Sequence, residues 1–181
     1  MTEVTLGIDI GGTNSVIGLV NKEGGILAQT KVSTGDFPEV PDYVDAVCAA
    51  IDGLMDQAGD VELKGIGIGA PNGNYYNGTI EYAPNLVWDG IVPLVELFGA
   101  RYPVPVVVTN DANAAAMGEM IYGGAKGMKN FIVLTLGTGL GSGIVVNGDV
   151  VYGHTGFAGE IGHTIVEPFG RDCGCGREGC L

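Results

Sequence analysis

Four side chains near the C-terminus have the types and spacing to ligate a metal: His163 in GEIGH, then Cys173, Cys175 and Cys180 in CGCGREGC. Three thiolates at C-x-C-x4-C with one imidazole upstream complete a tetrahedral Cys3His set, the closed kind that serves structure rather than catalysis. A redox pair is the alternative, and it would leave one thiol and the histidine unused. The remaining cysteine, Cys48, lies on a helical apolar stripe and reads as core.

Carboxylates form the second candidate set. Asp9 ends an apolar strand beside the loop DIGGTN. It either caps the turn or holds Mg2+ through water against nucleotide phosphates. Asp111, in NDAN, either caps a helix or, at the end of a buried strand, accepts a proton from a hydroxyl attacking a γ-phosphate. Asn110 or Asn113 could do the capping instead. Glu160 and His163 stand in the loop GFAGEIGH, read between strands; on the plainest view they are a solvated charge and a loop histidine.

Two glycine loops complete the inventory: DIGGTN, with Gly11, Gly12, Thr13 and Asn14, and LGTGLGSG, with Gly137, Thr138 and Gly139. Glycine tolerates positive φ and carries no side chain, so such loops can aim several backbone N–H groups at one anion. Thr13, Thr138 and Ser142 add hydroxyls. Neither loop is a P-loop or a G-x-G-x-x-G between strand and helix. Laid over each other at an offset of 126 residues, IDIGGTNSVIGLVN and LTLGTGLGSGIVVN match without a gap as strand, turn, strand and an Asn-led turn. They are either two ordinary hairpins or a duplicated domain pair whose loops face each other across a cleft.

The elements that must position these groups follow from hydrophobic period. VTLGIDI, SVIGLVN and GILAQTKVS read as an antiparallel meander. From Pro41 to Gln57, apolar residues at three- and four-residue spacing predict a helix. KGIGIGAP and VPVVVTN read as buried strands, IVPLVELFGARY as a short helix, and DANAAAMGEMIYG as a helix closing on glycine. NFIVLTL restarts strands, and VVNGDVVY is a hairpin turning at Asn-Gly.

Bulk properties narrow the partners. The net charge of −13 disfavours nucleic acid and anionic lipid, and no Lys/Arg cluster breaks it. No basic n-region or membrane-length apolar run is present. The expectation is a soluble, cytoplasmic protein without a disulfide framework. The 33 glycines, set among strand-like apolar runs, serve turns and close approach rather than disorder.

In order, GIDIGGTN, GIGIGAPNG, APNLVW, NDANAAAMGE, LGTGLGSG, GEIGH and CGCGREGCL resemble the ROK family of bacterial sugar kinases and sugar-responsive repressors, in the actin-like ATPase superfamily. The resemblance implies an α/β, ribonuclease H-like domain with a mixed sheet at 1–120 and the start of a second similar domain at 121–181. It implies ATP-dependent phosphorylation of a hexose, most readily glucose to glucose 6-phosphate. By position, Asp111 matches the catalytic base. Asn110, Glu160, His163 and Asn85 match sugar contacts. Asp9, Gly11, Gly12, Thr13, Asn14, Gly137, Thr138 and Gly139 match the nucleotide and Mg2+ side. His163, Cys173, Cys175 and Cys180 match a structural Zn2+ site. Asn72 departs from the pattern, which commonly has glycine after the proline.

Kinases for N-acetylated hexosamines, mannose or fructose share these motifs. A sugar-responsive repressor and a non-catalytic sugar-binding fragment are the alternatives of another class. Relatives are longer, so the resemblance also implies a C-terminally truncated chain with exposed apolar surface, little activity alone and a homodimeric habit.

Overall fold

The computed structural model describes residues 1–137 and 139–181. The chain divides into two compact units, Met1–Asp111 and Ala112–Leu181.

The first unit opens with β1 (Thr2–Ile10), β2 (Asn14–Asn21) and β3 (Ile26–Ser33), the antiparallel meander the sequence predicts. Strict alternation along β1 puts Val4, Leu6, Ile8 and Ile10 in the core and leaves Thr5, Gly7 and Asp9 outside it. Next come α1 (Val40–Ala58) and β4 (Val61–Ala70), which returns parallel to β1. The buried stripe of α1 is Tyr43, Val44, Val47, Cys48, Ile51 and Leu54, spaced for one helical face. Three short strands follow, β5 (Gly73–Asn74), β6 (Thr79–Glu81) and β7 (Ile91–Val92), paired as a small antiparallel sheet. Then α2 (Leu94–Gly99) leads to β8 (Val106–Asn110), parallel to β4.

The large sheet therefore runs β3-β2-β1-β4-β8, mixed, with three parallel strands at its centre and one side. Register sets Asp9 beside Gly69, Gly69 beside Thr109, and Ala70 beside Asn110. The carboxyl ends of β1, β4 and β8 thus share one edge, where open α/β sheets place their ligands.

The helix α3 (Asp111–Ile121) begins at the last residue of the first unit. The second unit continues with β9 (Phe131–Leu136), β10 (Leu140–Val146) and β11 (Asp149–Val150), an antiparallel sheet in the order β11-β10-β9. Asn147 and Gly148 both take positive φ at the β10–β11 turn, as an Asn-Gly hairpin requires. Gly143 lies tight against Ala112 and Ala116, where a Cβ would collide with α3. The outer face of β9 exposes Ile132, Leu134 and Leu136. Beyond β11 the chain turns through a single 3-10 turn at Ile161–His163, and two isolated bridges, Ile165 with Cys180 and Asp172 with Glu178, close the tail. The loop carrying Glu160 and His163 therefore lies between β11 and this bridged tail, with no regular strand after it among the described residues.

Candidate active site and metal centre

Alternation that buries Ile8 and Ile10 necessarily turns Asp9 off the core, at the carboxyl edge of the sheet. Asp111 starts α3 directly after β8 on the same edge. Partial desolvation, and then the negative charge of Asp111, push the Asp9 carboxyl above its ordinary range. Two carboxylates at one edge are suited to sharing a cation. Asn110 ends β8, half-buried next to Asp111.

The turn between β1 and β2 holds Gly11, Gly12, Thr13 and Asn14. Gly11 donates its N–H to the Asn14 carbonyl at 3.0 Å, and Thr34 and Gly35 donate to the Thr13 carbonyl at 2.9 and 3.4 Å. Among the described residues the N–H groups of Gly12 and Thr13 meet no backbone carbonyl, which suits them to an anion. The glycines of this turn do not adopt positive φ. Gly12 is needed for space: a Cβ there would overlap the carbonyl oxygen of Asn85. The turn and the Asn85 segment touch backbone to backbone.

Beneath the turn lies a polar network that sequence reading missed. Ser15, Thr34 and Tyr43 are fully buried. The Ser15 hydroxyl is 2.8 Å from that of Thr34 and 2.6 Å from that of Tyr43. Burial pushes the Tyr43 hydroxyl up to about 12, so it stays a neutral hydrogen-bonding group. Trp88 stacks at a tilt on Tyr43, centroids 4.6 Å apart, and donates from Nε1 to the Phe37 carbonyl at 2.9 Å. Asn85, itself exposed, is thus followed three residues later by a buried anchor.

In the second unit Gly137 donates its N–H to the Gly139 carbonyl at 2.9 Å, and a Cβ on either would meet open space. Thr138 lies outside the described residues. Ser142 is buried and donates to the Gly159 carbonyl rather than standing free for an anion. Gly162 abuts the Leu140 carbonyl so closely that a Cβ would overlap it. Glu160 and His163 bracket the 3-10 turn, with the His163 N–H donating to the Glu160 carbonyl at 3.1 Å.

His163, Cys173, Cys175 and Cys180 do come together, their ligand atoms all within 4.8 Å of one another. Cys173 Sγ is 3.6 Å from His163 Nδ1, and Cys175 Sγ is 3.7 Å from Cys180 Sγ. A tetrahedral ion with metal–sulfur bonds of ~2.3 Å sets sulfurs ~3.8 Å apart and sulfur to nitrogen slightly closer. Two of the edges have that length and the others lie within 4.8 Å, so the donor set is of the kind that fits a tetrahedral Zn2+. A backbone N–H bond from Arg177 brings the Cys175 thiol down to about 7; desolvation, then the neighbouring cysteines, raise Cys180 to about 11. Nδ1 faces the thiols, which leaves Nε2 of His163 outside the cluster.

Residues 5–181 match the family model described as ROK family. The chain belongs to the ROK family. A glucokinase of Streptomyces coelicolor is 47% identical over 178 residues, covering 98% of this chain and 54% of that relative. The crystal structure of a ROK family glucokinase from Streptomyces griseus, in complex with glucose and AMPPNP, superimposes with a TM-score of 0.82 at 43% identity, over 98% of this chain and 55% of that one. A xylose repressor of Caldicellulosiruptor bescii is 42% identical over 120 residues, 66% of this chain and 30% of the repressor. The chain spans about half the length of the glucokinases it matches. Its mixed α/β architecture is that of the ROK actin-like ATPase fold.

Proposed function

We propose that this ROK chain serves an ATP-dependent hexose kinase acting on glucose. The observation that carries the reading is the placement of Asp111 at the carboxyl edge of β1, β4 and β8, within electrostatic reach of Asp9. Similarity to glucokinases, one of them in complex with glucose and AMPPNP, supports the choice of sugar and donor.

In this mechanism Asp111 accepts the proton of the glucose 6-hydroxyl as its oxygen forms a bond to the γ-phosphorus. The bond from that phosphorus to the bridging oxygen breaks, and ADP leaves with the electron pair. Asn110 and Asn85 orient the sugar, and Glu160 and Nε2 of His163 hydrogen-bond its hydroxyls. The amides of Gly12 and Thr13, with Gly137 and Gly139, hold phosphate oxygens in this reading. Asp9 would hold Mg2+ through water, an ion whose charge offsets that building on the phosphates. Zn2+ on His163, Cys173, Cys175 and Cys180 would fix the loop that carries Glu160, where small misplacements are costly in rate. The protein is taken to work in the cytoplasm as a homodimer.

A repressor reading has the xylose repressor similarity in its favour, and a net charge of −13 against DNA contact. Coupled ADP release over glucose, mannose, fructose and N-acetylated hexosamines tests the proposal. Glucose is expected to give the largest kcat/KM. Absence of release with every sugar contradicts the kinase reading, and a strong preference for another sugar redirects the substrate.

A further inference from the structure

The turn after β4 touches two parts of the first unit at once. On one side Gly73 sits against the end of β8: a Cβ there would overlap the Thr109 carbonyl, two residues before Asp111. On the other side Asn72 grips the start of the Asn85 segment. Its Nδ2 donates to the Glu81 carbonyl at 2.9 Å and to the Tyr82 carbonyl at 3.1 Å, and its own carbonyl accepts the Glu81 N–H at 3.1 Å. Both amide protons are thereby spent on backbone, so Asn72 has none to offer a sugar. Its φ of 52° is left-handed, a conformation asparagine tolerates better than most side chains.

Tyr82, the residue being held, is itself left-handed at φ 50° with an exposed ring. A residue in that conformation persists only where its surroundings over-determine it. The surroundings here are Asn72 and a hydrogen bond of 2.7 Å from the Tyr82 N–H to the Gly90 carbonyl. From Tyr82 the chain runs to Asn85, whose carbonyl meets Gly12, and on to the Trp88 anchor.

We propose that Asn72 is a positioning residue that fixes the 82–88 segment between the Asp111 end of β8 and the glycine turn of β1–β2, and so sets the affinity of the site for its hexose. The role for hexose rests on the kinase reading above; the placement of the segment does not.

The experiment compares the parent chain with Asn72→Gly, which keeps left-handed freedom while deleting both side-chain hydrogen bonds, and with Asn72→Asp, which keeps the shape but loses the donor. Hydrogen exchange over 82–89 is expected to accelerate by about ten-fold in both variants, as loss of two modest hydrogen bonds implies, with exchange in β1, β4 and α1 unchanged. Trp88 is the single tryptophan of the chain, and its quenching by acrylamide is expected to rise in step. Glucose affinity, read by Trp88 emission, should weaken by roughly five-fold while affinity for AMPPNP holds. Unchanged exchange at 82–89, or acceleration spread evenly over the sheet, overturns the inference. Exchange that accelerates with glucose affinity unmoved overturns the positioning role. If the parent protein neither binds nor phosphorylates any hexose, the kinase reading falls, and the exchange result alone then decides whether Asn72 places the segment.

Discussion

The two glycine hairpins use one device with the glycine on opposite sides. In the β1–β2 hairpin the turn supplies the glycine, Gly12, and the neighbouring loop supplies the carbonyl, that of Asn85. In the β9–β10 hairpin the neighbouring loop supplies the glycine, Gly162, and the strand supplies the carbonyl, that of Leu140. The first contact joins a candidate phosphate turn to a candidate sugar loop, and the second joins the strand that follows such a turn to another candidate sugar loop. What lies behind the contact differs. The Asn85 segment is backed by Trp88, Tyr43 and a continuous apolar core, whereas the loop with Glu160 and His163 leads into a largely exposed tail whose organising feature is four ligand atoms. Burial can stabilise the first arrangement; the second has little burial to draw on, and the proposed metal would supply what burial does not.

The largest test of that difference bears on the Zn2+ proposed for the tail. Structural zinc in small domains contributes on the order of 10 kcal/mol of folding free energy. Chelation or Cys175→Ser is therefore expected to abolish hydrogen-exchange protection over 164–181 and leave protection in the Met1–Asp111 unit intact. Equal loss in both units, or none in the tail, breaks the comparison.

Alanine substitutions give an intermediate effect. Gly12→Ala and Gly162→Ala each drive a Cβ into a carbonyl and should cost about 1–3 kcal/mol in thermal or urea unfolding. Gly137→Ala, facing open space without positive φ, should fall within about 0.5 kcal/mol of the parent. A costly Gly137→Ala would mean that this turn is more tightly packed than its surroundings indicate.

Much of this architecture is legible in the sequence. Period-two burial in β1, the Asn147-Gly148 turn and the helix from Val40 to Ala58 follow from pattern and turn chemistry. The convergence of His163 with three cysteines follows from ligand type and spacing. Other features have no local signal. Strands of two or three residues, such as Gly73–Asn74 and Thr79–Glu81, are too short to show a period. Tyr43 finds its hydroxyl partner in Ser15, 28 positions away in β2, and Ser15 in turn meets Thr34, 19 positions further along. Composition points to turns and close approach for the glycines in general, but which carbonyl Gly12 or Gly162 approaches depends on a residue contributed from elsewhere in the chain.

The smallest effect belongs to Asp9. Because the fold raises its carboxyl above the ordinary 3.8, the folded chain holds that proton more tightly than the unfolded chain does. The resulting stabilisation is complete below 3.8 and disappears as pH rises through the raised value. Asp9→Asn is therefore expected to melt slightly higher than the parent at pH 7, to lose that advantage at pH 3, and to bind Mg2+ more weakly. A lower melting point at pH 7 would show that Asp9 serves the turn rather than a cation.

The central claim is that Asp111 takes the hydroxyl proton. Glucose-dependent ADP release by Asp111→Asn tests it most directly, with glucose affinity followed through Trp88. Turnover is expected to fall by about 10²–10⁴-fold with affinity within a few-fold of the parent. Turnover that persists in Asp111→Asn with glucose still bound would contradict the account.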